Sequence, residues 1–200
     1  MSPADIPGLS RLAEAAGKLK RVRRKGWVDR GVADAESVAD HSYRLAVLAW
    51  ALARGRGLDA DRALRIALLH DLAEAEVGDE TPFDAAVAEA GFDPARFDAP
   101  APRDEARRAA KHARELAAIE ALAGALGPEL GEELRTLVSE YQGQSSPEAR
   151  LVKELDRVET LLQAEEYLRE QPELPVGSFR HDVESRGLAP DLAGLFRRRG

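Results

Sequence analysis

Apolar residues recur along the chain at intervals of three and four, the spacing of one helix face, while alternation with period two never persists. Alanine, leucine, arginine and glutamate, all good helix formers, fill most positions, and clusters of β-branched or aromatic residues are few. The pattern predicts helices over about 8–24, 36–54, 59–76, 103–126, 129–143 and 147–170, with weaker helical stretches after Val176. The breaks carry helix punctuation. Gly55 and Gly57 close the second helix and Asp59 stands as the N-cap of the third. Gly127-Pro128 divides the fourth from the fifth, and Ser145-Ser146-Pro147 opens the sixth. The stretch 84–102, rich in Ala, Pro and Asp, reads as a surface insertion between helices, partly ordered at best. The expected fold is all-α: a single helical domain over 1–200 with its core at about 8–170 and a helical tail at 171–200.

Composition removes several classes of function. The chain has 200 residues, 44% hydrophobic and 32% charged, as in an ordinary globular protein long enough to hold a core without disulfides. It has no cysteine, which excludes zinc fingers, iron–sulfur clusters and thiol catalysis and leaves histidine, with four copies, as the strong transition-metal ligand. A net charge of −7 argues against a nucleic-acid polymer as partner. No apolar run approaches the roughly 18 residues of a membrane span, and the start lacks the basic and apolar regions of a signal peptide. The expectation is a cytoplasmic protein without a membrane partner.

Polar groups on apolar faces mark the candidate chemistry. His41 falls within the stripe Val38, Leu45, Leu48, Leu52. The next helix is apolar almost all round until His70, Asp71 and Glu74, with Glu74 four residues after the histidine and three after the aspartate. Asp156 borders the stripe Leu151, Leu155, Val158, Leu162. A buried carboxylate costs several kcal/mol unless paired or bound to metal. Two histidines and two aspartates so placed suit one divalent ion, Mn, Fe, Co, Ni or Zn rather than Ca, with Mg also admitted. Each residue alone also reads as an ordinary core or surface group. His181-Asp182 and His112 lack an apolar stripe and read as surface; Glu159, one turn after Asp156, reads either as a group that orients it or a water or, with more weight, as surface.

The order His41, His70-Asp71, Asp156 resembles the HD-domain metal-dependent phosphohydrolases, which form an all-helical bundle. The segments Leu19–Trp27, Glu36–Ser42, Leu69–Asp79, Glu140-Tyr141 with Ser145-Ser146, and Leu155–Glu159 are similar to the 5′-deoxynucleotidase, or YfbR-like, branch. The resemblance implies that His41, His70, Asp71 and Asp156 ligate the ion, that Glu74 acts as acid/base and that Asp79 assists protonation of the leaving sugar oxygen. It sets Trp27 near the sugar, where bulk excludes a 2′-hydroxyl, and implies a homodimer. Gly26 stands where the branch has an arginine, so Arg23 or Arg24 is the candidate phosphate contact. The basic run Lys18–Arg24 also reads as the solvated end of the first helix, and Trp27 equally as a core anchor.

The implied reaction is hydrolysis of deoxyribonucleoside 5′-monophosphates to nucleoside and phosphate. Such an ester needs its charge neutralised, a nucleophile at neutral pH and a protonated leaving group. A divalent ion supplies the first two, lowering the pKa of a bound water towards roughly 7, and Glu74 or Asp79 supplies the third. The alternatives are another nucleotide or phosphoester as substrate, or a helical regulatory protein that holds metal without turnover.

Overall fold

The computed structural model describes residues 6–91 and 93–197; expectations touching 1–5, Phe92 and 198–200 lie outside the described residues. The elements are α1 (Ile6–Leu19), α2 (Lys25–Val28), α3 (Val38–Gly55), α4 (Ala60–Leu69), α5 (Glu74–Val77) and α6 (Asp84–Ala90). They continue as α7 (Pro94–Asp98), α8 (Glu105–Ala125), α9 (Pro128–Gly143), α10 (Pro147–Glu170), α11 (Gly177–Arg186) and α12 (Pro190–Arg197). Among the described residues no strand occurs, only an isolated antiparallel bridge between Arg23 and Ser37. The all-α expectation is met.

Helix starts follow local chemistry. Ser37 accepts a hydrogen bond from the Asp40 N–H while the Asp40 carboxylate accepts one from the Ser37 N–H, a reciprocal cap for α3. Asp59, Asp104 and Ser146 cap α4, α8 and α10 one way, each side-chain oxygen accepting a backbone N–H, with Pro147 in the first turn of α10. The principal core lies between α3, α4, α9 and α10, where Leu45, Ala49, Ile66, Leu137, Val152 and Leu155 are buried together. A second cluster joins α1, the bend before α5, α8 and α9 through Leu19, Leu72, Ile119 and Leu134. Gly131 permits the close crossing of α9 on α8, since a Cβ there would stand 2.2 Å from the Ala123 carbonyl oxygen.

Three sequence expectations are corrected. The predicted helix 8–24 ends at Leu19, because Arg24 N–H bonds to the Glu36 carbonyl and Val38 N–H to the Val22 carbonyl, laying 22–24 against the start of α3. The predicted helix 59–76 is interrupted at 70–73 by three-residue turns, with Leu72 N–H on Leu69 O and Glu74 N–H on Asp71 O. The 84–102 segment lies mostly at the surface, as expected, but its described residues are more ordered than expected. It forms α6 and α7 and buries Phe97 at 0% exposure against Phe83. The Arg30 guanidinium lies 4.5 Å from the Phe97 ring centroid and 4.0 Å from that of Phe179 of α11. Arg30 also donates to the carbonyls of Pro175 and Gly26 and to Ser178 Oγ, so this one buried cation fastens α7 and α11 to α2.

Candidate metal centre

Four elements converge on one buried centre. α3 supplies His41 from its first turns, the bend after α4 supplies His70 and Asp71, α5 supplies Glu74 at its start, and α10 supplies Asp156. Donor atoms of His41, His70 and Asp71 lie within 4.8 Å of one another. Asp71 Oδ2 is 3.0 Å from His70 Nε2, and Asp156 Oδ1 is 3.2 Å from His41 Nε2. The three-residue turns at 70–73, between α4 and α5, carry His70 and Asp71 at this point.

The imidazoles are oriented from behind. His70 Nδ1 lies 2.8 Å from the Ala67 carbonyl, which can only accept, so the proton sits on Nδ1 and the lone pair on Nε2. His41 Nδ1 makes a short contact with the Glu159 carboxylate. Both Nε2 atoms are buried and neither has a hydrogen-bond partner among the described residues. Two orphaned nitrogens beside two carboxylates fit a divalent cation, since a buried polar atom is otherwise costly to leave unmatched. Burial and Arg24 oppose a proton on His41, yet Glu159 and Asp156 outweigh them and push it up to about 10. The surroundings therefore favour positive charge at Nε2. Burial alone would raise Asp156, but Lys153 and His41 hold it well below the usual carboxylate range. Tyr141 donates to Asp156 Oδ2 at 2.7 Å and Lys153 does so at 3.1 Å.

Around these donors stand acids and cations. Glu74 is 3% exposed, and burial, Asp71 and Asp79 together raise it well above its usual range against the pull of Lys111 and Arg24. Lys111 of α8 reaches within 3.3 Å of Glu74 Oε1. Asp79 follows Gly78, whose φ of 78° suits glycine, and its Oδ2 accepts the Lys25 N–H at 2.7 Å. Arg24 Nη1 lies 3.6 Å from Asp71 Oδ2, and despite its burial the carboxylates of Asp79, Asp71 and Asp156 keep it firmly charged.

The structure separates the remaining candidates. Arg24 faces the centre, whereas Arg23 donates to the Ala35 carbonyl and lines a different cleft of about 330 Å³ with Asp40 and Arg44. Trp27 is 1% exposed, its indole N–H on Glu36 and its ring against Tyr167 and Phe179, so it is a core anchor with no face free for a sugar. Gly26 faces the same stack, since a Cβ there would stand 3.4 Å from the Phe179 ring. Glu159, expected at the surface, is fully buried behind His41. Lys111 was not among the expected site residues. His112 and His181 are exposed, as their sequence context predicts.

A family model described as the HD domain matches residues 16–186, a span that includes every group named above. The chain is 43% identical over 160 residues to the 5′-deoxynucleotidase HDDC2 of Mus musculus, covering 80% of this chain and 70% of that protein. It is 38% identical over 184 residues to the 5′-deoxynucleotidase HDDC2 of Danio rerio, covering 90% and 80%. A solved protein from Pyrococcus horikoshii superposes with a TM-score of 0.64 at 29% identity, over 88% of this chain and 87% of that one.

Proposed function

Because the chain belongs to the HD-domain family, we propose that it is a metal-dependent phosphomonoesterase that converts deoxyribonucleoside 5′-monophosphates and water to deoxynucleosides and phosphate. The observation that carries this reading is the pair of buried, unpartnered Nε2 atoms of His41 and His70 beside Asp71 and Asp156, with Glu74 and two cations at its edge. Those four residues would hold one divalent ion. When bound, the ion supplies charge neutralisation on the phosphate and a nucleophilic water at neutral pH. Arg24, 3.6 Å from Asp71 at the edge of the centre, stabilises the anionic phosphate, as a guanidinium with permanent charge can. Glu74, whose burial among carboxylates makes it a ready proton carrier, exchanges a proton with the attacking water. As the new P–O bond forms and the P–O5′ bond breaks, the proton lost by the water is balanced by one that Asp79 passes on to the leaving 5′-oxygen.

Deoxynucleotides are favoured as substrates by the names of the relatives, since Trp27 is enclosed in the core. The test is phosphate release from matched deoxyribo- and ribonucleoside 5′-monophosphates after chelation and re-addition of Mn, Co, Zn or Mg. Metal-restored release that favours the deoxy series is expected. Metal uptake without turnover of either series would move the function to another phosphoester or to a binding role.

The same reading takes the chain as one HD domain acting as a cytoplasmic homodimer. Among the described residues, no helix is long and apolar enough to cross a membrane. On α3, Tyr43, Val47 and Trp50 are 70%, 45% and 46% exposed at helical spacing, an apolar stripe that suits a second copy of the chain. Light scattering should give the mass of two chains. The mass of one chain at micromolar concentration would exclude the dimer.

A further inference from the structure

α10 sets a carboxylate beside each nitrogen of His41. Asp156 Oδ1 lies 3.2 Å from Nε2, and three residues further along the same helix Glu159 meets Nδ1 in a short contact. The Glu159 and His41 side chains are both 0% exposed. A carboxylate so enclosed persists only with partners. Its second oxygen is held by Arg44, whose Nε donates to Glu159 Oε1 at 2.7 Å. Arg44 is itself fixed by Glu166 at 2.9 Å and by Gln163 at 2.5 Å. Arg44 follows His41 by three residues on α3, just as Glu159 follows Asp156 by three on α10, so two facing helix surfaces interlock around one imidazole. His70 offers the contrast, because its Nδ1 proton goes to the neutral Ala67 carbonyl.

We propose that Glu159, locked by Arg44, is the positioning residue that holds His41 with Nε2 aimed at the ion and strengthens that nitrogen as a donor. The inference rests on the metal-centre reading above and assigns a residue that touches neither ion nor substrate. An anion on the Nδ1 proton polarises the ring towards Nε2, and loss of such a partner typically lowers metal affinity about 10–100-fold.

The test is Glu159→Gln in the full chain, with Co²⁺ as the probe. Glutamine keeps the volume and a hydrogen-bond acceptor for Nδ1 but removes the charge. Co²⁺ affinity is measured by chelator competition, the visible absorption bands of bound Co²⁺ are recorded, and thermal melting of the chelated protein serves as the fold control. Affinity lower by about tenfold or more, altered Co²⁺ bands and near-wild-type melting without ion are expected, with most of the turnover recovered at saturating Co²⁺. Equal affinity and identical bands would overturn the proposal, as would an affinity loss that merely tracks a collapsed melting transition. Arg44→Lys keeps the positive charge without the fork that orients the carboxylate, and should weaken Co²⁺ binding in the same direction by a smaller factor. Unchanged binding in Arg44→Lys beside an unfolded Glu159→Gln would also overturn it. Wild-type protein that takes up no Co²⁺ would sink the metal-centre reading itself, and this inference with it.

Discussion

Asp71→Ala should release phosphate at least about 10³-fold more slowly than wild type, because the several kcal/mol an ion contributes to such a reaction go with its ligands at 1.36 kcal/mol per tenfold. The same variant should leave a desalting column without bound metal. Asp71 Oδ2 lies 3.0 Å from His70 Nε2 and 3.6 Å from Arg24 Nη1, so its loss removes an anionic donor and leaves the guanidinium turned towards a charge that is gone. Helix content should hold, since Asp71 sits in the bend between α4 and α5 while its neighbour Leu72 remains in the core. The chain contains its own control. His181-Asp182 repeats the dipeptide on α11, where Asp182 pairs with exposed Arg186 at 2.9 Å. Asp182→Ala should change turnover by less than about twofold, as surface substitutions usually stay within about 0.5 kcal/mol. Circular dichroism, metal analysis and phosphate release on the two variants decide the matter. An Asp71→Ala protein that keeps its metal and a tenth of the wild-type rate would remove Asp71 from the centre.

The difference between the two dipeptides was legible in the sequence, and so was the convergence of most residues of the candidate centre. A histidine within Val38, Leu45 and Leu48, or an aspartate beside Leu155, contradicts the apolar stripe that carries it, and that conflict is visible in one dimension. The helices that carry long stripes and clear caps, α3, α9 and α10, also came out within two residues of expectation. The interruption at 70–73 was not legible, because Leu69, Leu72, Ala73 and Glu74 are good helix formers. The bend is imposed by packing Leu72 and Ala73 against α1 and α8, a tertiary requirement that propensity cannot anticipate.

Charged residues were harder to place than apolar ones. Arg23 and Arg24 differ by one position, and only the bridge between 23 and 37, which turns successive side chains to opposite sides, decides which faces the centre. Glu159 was read as surface because its partners His41 and Arg44 are more than a hundred residues away. Its position four after Leu155 and three before Leu162 puts it on the buried stripe, a signal that was present and outweighed by its charge. Lys111 carries a fainter one. It lies eight residues before Ile119 and twelve before Ala123, the buried face of α8, but within a run of charges that reads as solvated. The 84–102 segment was read from its Ala, Pro and Asp content, which gives no weight to Phe97, the aromatic that packs over the buried Arg30 guanidinium.

Glu74→Gln should separate proton transfer from metal binding. The carboxyl is 3% exposed, and burial with Asp71 and Asp79 raises it well above the usual carboxylate range. Glutamine preserves volume and a polar tip, and Lys111 keeps Glu115 at 3.4 Å and the Glu80 carbonyl at 3.3 Å, so no bare cation is stranded in the site. What is removed is the ability to take and return a proton. General acid–base contributions of this kind are worth about 10²–10⁴-fold, and the loss should fall on kcat, with KM little changed. Metal content should equal that of wild type, because the four donors lie on α3, the bend after α4, and α10, and none is moved by the substitution. Steady-state kinetics and metal stoichiometry on the same preparation give the answer. A kcat within tenfold of wild type would take the proton-transfer role from Glu74 and leave it to Asp79. A parallel loss of metal would mean that Glu74 belongs to the coordination of the ion.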